Sequence, residues 1–484
     1  METGKGVNTK YFINSAVVVI LMFFFRFIPP FGSMTSLGMA VLGIFLGALW
    51  GWINCDMIWP SILAITMLGF TSQYENVAAA FTAVISNSIL QQILWLLVFS
   101  AILTVTGISD QLANRLVTSK MCKGRPWVLS IVIYVASLIC SSFGAAFAAM
   151  LICWDFIYTI CKQVGYTKED TWPKMMIVGV VFASCVGTVG MPFQAGVAAT
   201  FGYLSAASEG LYASYNYLQY LIFSLVMCVT STALFFLLCK LILRPDMSRL
   251  KETVSVGNVT AFNQRQKFAV GALVALIVLT ILPSCLPSGA FKDFLDQIGT
   301  TAFVLIIVGT ITIFRTKDGK PIFTFKELAD AGIFWNMLFM VGTAVTVGTV
   351  LATGDTGFTT TLMAVFTPMF AGKSPILFAI VICLVTLVLT NLINNAVAGA
   401  IMVPVMYSFA AQIGVNPLML TAVICFVSDI GMLLPCASPS GAMLYSNKEW
   451  LETKDIVKYS LVGILTMAII AVCIGIPFGT MIFS

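Results

Sequence analysis

Apolar runs of about 20 residues, long enough to cross a bilayer as helices, recur along nearly the whole chain between short polar segments. They predict spans near 11–29, 35–53, 58–72, 88–108, 173–207, 214–243, 266–287, 299–315, 333–352, 416–445 and 456–483, eleven crossings in all. Two further apolar segments, 126–161 and 374–411, are too long for one crossing, and each has a polar break near its middle. Each reads as a re-entrant hairpin that enters and leaves on one side. The breaks lie at Ser141–Gly144 and Asn391–Asn395, and two spans are broken as well, at Gly187–Gln194 and Leu434–Gly441. Glycine, proline and polar residues at membrane depth free backbone groups that lipid cannot satisfy, so such breaks survive only inside protein or beside a cavity.

The breaks come in the same order in both halves of the chain, and the segments around them echo each other. Ala145–Leu151 (AAFAAML) resembles Ala396–Met402 (AVAGAIM), and Ala101–Asp110 resembles Gly348–Asp355. Five spans and a hairpin separate equivalent points, so the repeats run in opposite senses across the membrane. The pattern therefore predicts an all-α polytopic membrane protein of about eleven transmembrane helices plus two re-entrant hairpins in two inverted repeats. Paired interruptions of this kind mark the binding site of secondary transporters.

Composition and charge agree. Only 9% of residues are charged and 59% are hydrophobic, against roughly 25% charged in soluble domains. With the N-terminus cytoplasmic, twenty-two Lys and Arg fall in cytoplasmic segments, while the outer loops hold Lys292 and Lys373. This positive-inside bias puts the C-terminus outside and makes the cell membrane the expected location. The net charge of +5 thus follows topology and gives no reason to expect nucleic acid. The run Tyr11–Pro30 is longer than a signal-peptide core and lacks a small-residue cleavage site; it reads as the first span, with Arg26 snorkelling near its end. Thirteen Cys without a CxxC pair read as small buried hydrophobes. Histidine is absent, which removes His relays, His metal sites and Ser-His catalysis. Asn258–Thr260 matches a glycosylation sequon but falls in a cytoplasmic linker, and Gly372-Lys373-Ser374 lacks the upstream glycine of a phosphate loop.

The second-half breaks carry a family resemblance. Asn391–Pro404 (NLINNAVAGAIMVP) resembles the second hairpin tip of the divalent anion/sodium symporter (DASS) family, with Asn394, Asn395 and Ala396 on its Ser-Asn-Thr motif. Met432–Ala442 (MLLPCASPSGA) is similar to the family's Leu-Pro-Val-Ala-Thr-Pro-Pro-Asn-Ala loop, and Gly187–Gln194 more distantly to its first-half counterpart. The resemblance implies a homodimer in which a mobile unit slides past a scaffold like an elevator. Its parts would be 1–125 (scaffold, first repeat), 126–243 (transport, first repeat), 244–265 (cytoplasmic linker), 266–373 (scaffold, second repeat) and 374–484 (transport, second repeat). It implies substrate contacts from Ser141, Ser142, Gly144, Gln194, Asn394, Asn395, Ser438, Pro439 and Ser440. It implies cation ligands among Ser142, Thr188, Gly190, Asn391, Asn395 and Ala437, with Na⁺ as coupling ion and no transition metal or other cofactor.

Asp429 adds a reading of its own, since an intramembrane carboxylate is by default functional: it neutralises a cation, carries a proton, or closes a structural hydrogen bond. Asp155 is similar but nearer a surface. Other readings stay open beside these: Ser141 and Ser142 are also placed to back-bond to helix carbonyls, and Ser438–Gly441 to form a proline kink. At the first tip Phe143, Gly144 and Ala145 stand where the family has Ser, Asn and Thr, a departure that suits a smaller, monovalent or more apolar anion. The expected function is import of a small di- or tricarboxylate-like anion with Na⁺. An anion exchanger and a proton-coupled carrier of the same fold are the alternatives. An intramembrane enzyme lacks a catalytic pair, and a channel lacks a charged selectivity ring.

Overall fold

A computed structural model describes residues 9–483 except 109–110, 112–123, 145, 252–260, 288, 317, 359, 362–363, 365–373, 394 and 435–436. Among the described residues every element is helical, one isolated bridge between Arg315 and Pro321 apart. The helices are α1 (Thr9–Phe24), α2 (Ser36–Asn54), α3 (Ile58–Leu68), α4 (Val77–Ile85), α5 (Ser88–Thr106), α6 (Pro126–Ser142), α7 (Ala146–Val164), α8 (Thr171–Thr188), α9 (Ala195–Ala207) and α10 (Tyr217–Leu238). There follow α11 (Gln264–Cys285), α12 (Ala290–Ile313), α13 (Phe325–Gly332), α14 (Trp335–Ala352), α15 (Pro375–Leu392), α16 (Asn395–Ile413), α17 (Pro417–Ser428), α18 (Pro439–Ser446), α19 (Thr453–Ile470) and α20 (Ile476–Ile482).

By length and composition, eight helices among the described residues are able to cross a membrane, or nine if the bent pair Val77–Ile85 and Leu90–Thr106 is one span. The shortfall from eleven has a physical reason. The predicted crossings 58–72, 299–315 and 416–445 are built from the shorter helices Ile58–Leu68, Gln297–Ile313 and Pro417–Ser428. At 1.5 Å per residue the first covers about half of a ~30 Å hydrocarbon core. Conversely α15, read from sequence as one arm of a hairpin, is itself 18 residues and apolar.

Both predicted breaks in long apolar segments are helical hairpins. The arms α6 and α7 pack on each other, as do α15 and α16. Each hairpin packs on the first half of its own broken helix: α6 and α7 on α8, α15 and α16 on α17. The second halves cross over, α9 against α16 and α17, and α18 against α8. The two repeats therefore interlock about the points where α8 and α17 end. Around this centre, α5 and α14 contact α9, and α14 also contacts α16.

With lipid outside, apolar burial drives little association and small residues decide how closely helices approach. On α2, Gly43, Gly47 and Gly51 form such a seam. A methyl group on any of them would sit 2.3 Å from Phe25 Cβ, 2.5 Å from Met22 Cγ and 2.5 Å from Pro60 Cβ respectively. Helix starts are set by capping side chains: Asn216 before α10, Asn416 before α17 with Pro417 in its first turn, and a reciprocal Asn263–Gln266 box before α11. Lys174 on α8 and Asp455 on α19 pair at 2.9 Å with side chains only 11% and 10% exposed.

Candidate functional site

Helix α17 ends at Ser428, and the chain turns at Asp429. Asn391, in the last turn of α15, holds that turn: its Oδ1 accepts the N–H groups of Met432 (3.1 Å) and Leu433 (3.0 Å), and its Nδ2 donates to Leu387 O. Ser438 caps α18, accepting Gly441 N–H at 2.9 Å and donating to the Gly431 carbonyl. Asn395, the first residue of α16, lies over Gly431 so closely that a methyl there would stand 1.9 Å from Asn395 Oδ1. Its amide nitrogen donates to Asp429 Oδ1 (3.2 Å) and to the Asp429 carbonyl (3.1 Å). Its backbone N–H donates to Ala437 O at 3.2 Å. The Thr390 hydroxyl lies 2.7 Å from Asn395 Oδ1 and also within reach of the Ser428 carbonyl. One hydroxyl proton serves only one of those acceptors.

The first repeat is built alike but with poorer donors. Helix α6 ends at Ser142, and Gly144 turns the tip with φ +88°. Ser142 donates back to Leu138 O at 2.9 Å, and Ser141 donates to Ser184 Oγ on α8 at 2.9 Å. Gln194 aims its amide at the Ser141 (3.4 Å) and Ser142 carbonyls, closing the end of α6. Ser100, on α5, donates to the Gly144 carbonyl at 3.3 Å. Carbonyls of the unwound 189–192 stretch are taken by side chains around α10: Val189 by Tyr220, Gly190 by Ser224 and Pro192 by Tyr215.

At this centre the two repeats meet through a hydrogen bond from the Thr188 hydroxyl at the end of α8 to Asp429 Oδ2 at the end of α17. Thr188, Asn395 and Asp429, all expected as cation ligands, are thus brought together. With Thr390 and the Ser428 and Asp429 carbonyls they present a carboxylate, neutral oxygens and the negative end of a half-helix, a donor set that suits a hard monovalent cation. Among the described residues no group of three or more His, Cys, Asp or Glu is able to hold a metal ion. Helices α7, α9, α16 and α18 begin at the tips and loops just described. Their first N–H groups carry partial positive charge suited to an anion.

The other expected residues take the following places. Ser141 is fully buried and bonded to Ser184, so its hydroxyl holds the tip to α8. Ser142, 4% exposed, back-bonds to its own helix. Asn391 is a backbone cap whose side-chain oxygen takes the N–H groups of Met432 and Leu433. Ser438 is a cap and Ala437 O pairs with backbone. Pro439 and Ser440 occupy the first turn of α18, Ser440 beside the Cys185 thiol, and Gly190 lies against Ser142. Asp155 is exposed on α7, away from the centre. Asn394 lies outside the described residues. Thr390, Ser184 and Ser100 were not singled out from sequence. Thr390 alone left a signal there, one turn before the paired Asn.

Comparisons with known proteins bear on the whole chain. The family model described as the sodium:sulfate symporter transmembrane region matches residues 8–484. An uncharacterised transporter of Methanocaldococcus jannaschii is 22% identical over 314 residues, 64% of each chain. The sodium-dependent low-affinity dicarboxylate transporter 1 of Caenorhabditis elegans is 23% identical over 307 residues, 58% of this chain and 51% of that one. The chain thus spans just under two thirds and about half of the length of these two relatives. The solved YdaH transporter of Alcanivorax borkumensis superposes with a TM-score of 0.61 at 14% identity, covering 93% of this chain and all of that one; at that identity the likeness shows the fold alone. Family and structural neighbours are transporters, not enzymes. The hairpins, the broken helices and a family match running over nearly every residue lead to one conclusion: this multi-span membrane protein belongs to the sodium:sulfate symporter family.

Proposed function

We propose that the protein is a secondary active transporter that imports a small organic carboxylate together with Na⁺. The observation that carries this reading is the oxygen cluster of Asp429, Asn395 and Thr390 at the junction of the two repeats. A cation there would neutralise Asp429, so that its charge no longer opposes an anion near the four neighbouring helix starts. Each ion then favours the other, which is symport. The relative named as a sodium-dependent dicarboxylate transporter supports the pairing of Na⁺ with a carboxylate and makes dicarboxylates the first compounds to try.

On this reading residues 126–243 and 374–484 move together against a scaffold of 1–125 and 266–373, with 244–265 as the cytoplasmic linker. Sliding of that unit as an elevator is supported by the way both hairpins and both broken helices pack on one another. A homodimer in the cell membrane with a cytoplasmic N-terminus and an outer C-terminus follows from the family resemblance and the basic-residue bias. Proton coupling is the second reading, favoured by the same Asp429 carboxylate in hydrogen-bond contact with Thr188. An anion exchanger is the third, favoured by the lack of a carboxylate in the first-repeat counterpart of the Asp429 cluster.

Uptake of labelled carboxylates into proteoliposomes separates the three. An inward Na⁺ gradient should drive accumulation at constant pH. Accumulation driven only by a pH gradient would replace the Na⁺ reading with the proton one. Uptake that needs internal anion and ignores both gradients would point to exchange.

A further inference from the structure

We infer that the protein also binds a small organic cation, a protonated amine carrying one apolar ring, in a cavity where α2 and α14 face α9 and α16. The cavity holds about 270 Å³, near the lower end of the ~300–1,000 Å³ of small-molecule pockets, and shares no residue with the Asp429 centre. Phe45 of α2, Leu351 of α14 and Phe358 beyond α14 give it apolar walls. Tyr407 and Ser408 of α16 and Glu209, just past α9, bring polar groups to it. The Ser408 hydroxyl donates to the Pro404 carbonyl of its own helix at 2.9 Å. Glu209 is the one charged residue among those that line the cavity.

Glu209 stands where a helix end favours glycine. Helix α9 closes with Gly210 N–H on Ser205 O at 2.9 Å and Glu209 N–H on Ala206 O at 3.3 Å. These are the paired bonds of a Schellman end, whose left-handed residue is usually Gly. Glu209 takes that place at φ +50°, and a side chain kept in a strained backbone conformation points to a use for it. Among the described residues it makes no ion pair. Its charge lies within reach of the Tyr407 hydroxyl, and Tyr212 meets the Tyr407 ring edge-on with centroids 6.1 Å apart. A carboxylate beside aromatic rings, above an apolar wall, is the chemistry that holds a cation with an apolar body. Gly348 of α14 leaves the room for one: a Cβ there would meet no atom of the described residues within 4 Å. Helices α2 and α14 belong to the proposed scaffold, α9 and α16 to the proposed mobile unit. An occupant would therefore brace one against the other, a consequence that rests on the transport reading above, as the site itself does not.

The test is thermal stabilisation of the purified full-length protein, in saturating Na⁺, by phenethylammonium and by the uncharged phenethyl alcohol. The cation should bind at least tenfold more tightly than the alcohol. Gly348→Leu, which fills the cavity, and Glu209→Asn, which removes the charge, should each weaken phenethylammonium at least tenfold. Because Asn tolerates positive φ, Glu209→Asn should melt no lower than the wild type, and it keeps the test standing if Gly348→Leu does not fold. Equal binding of cation and alcohol overturns the inference, as does unchanged phenethylammonium binding in either folded variant. In proteoliposomes phenethylammonium should slow Na⁺-driven carboxylate uptake by the wild type and not by Gly348→Leu. Binding without slowing would overturn the brace. Absence of any carboxylate uptake would sink the transport reading and leave the binding result to decide the site.

Discussion

At the scale of single residues, Thr390 and Asn391 are neighbours with opposite tasks. Both are buried at the end of α15. Asn391 has its oxygen and nitrogen committed to backbone, whereas Thr390 has one proton between two acceptors, one of them Asn395 Oδ1. An arrangement with more oxygens than protons is one that a cation completes. We expect Thr390→Val to raise the half-saturating Na⁺ concentration roughly tenfold, the equivalent of about 1.4 kcal/mol for one lost oxygen partner. Thr390→Ser should stay near wild type. Na⁺ titrations of thermal stability read both directly, and a Thr390→Val protein with wild-type Na⁺ response would remove Thr390 from the centre. Asn395 and Asp429 are legible in the sequence because amides and carboxylates are rare at membrane depth. Thr390, Ser184 and Ser100 are not, because hydroxyls are common in apolar helices and bond to their own backbone there, so only the tertiary partner reveals a role.

At the scale of elements, the joints between half-helices depend on how closely a tip comes to a loop. Gly431 forms such a joint in the second repeat: a Cβ would meet Asn395 Oδ1 at 1.9 Å and Thr390 O at 3.0 Å. Neither helix start nor helix end moves without losing the Asn395–Asp429 contact. Gly431→Ala should therefore destabilise the protein by about 1–3 kcal/mol, as overpacking does, and weaken Na⁺ binding with it. A variant of unchanged melting temperature and Na⁺ response would mean that α16 adjusts freely. The hairpins and broken helices were legible in the sequence because Gly, Pro, Asn and Ser interrupt otherwise unbroken apolar runs. Crossing number was less so, because half-helices such as α3 and α17 are shorter than the apolar run that contains them. The short α13 falls between the predicted spans and carries no apolar run to reveal it; Thr324 caps its start, and Gly332 packs so close to α5 that a Cβ there would meet the Leu97 carbonyl at 2.4 Å.

At the scale of the whole molecule, the Thr188–Asp429 hydrogen bond joins the repeats at their centre, while the Lys174–Asp455 pair, the Asn447–Tyr158 bond and packing hold them elsewhere. Inverted repeats bring two helix C-termini together at the centre, and the carboxylate has arisen on one of them only. The asymmetry puts the proposed cation site in the second repeat and leaves helix-start N–H groups of both repeats to face an anion. The central claim is that cation and anion binding are coupled through Asp429. It is tested most directly by calorimetric measurement of carboxylate affinity at a series of Na⁺ concentrations, in the wild type and in Asp429→Asn. Below saturation, coupling to a single Na⁺ makes the apparent Kd fall about tenfold for each tenfold rise in Na⁺ in the wild type, and the slope should vanish in Asp429→Asn. A wild-type Kd indifferent to Na⁺, or an Asp429→Asn protein with the same slope, would contradict the account.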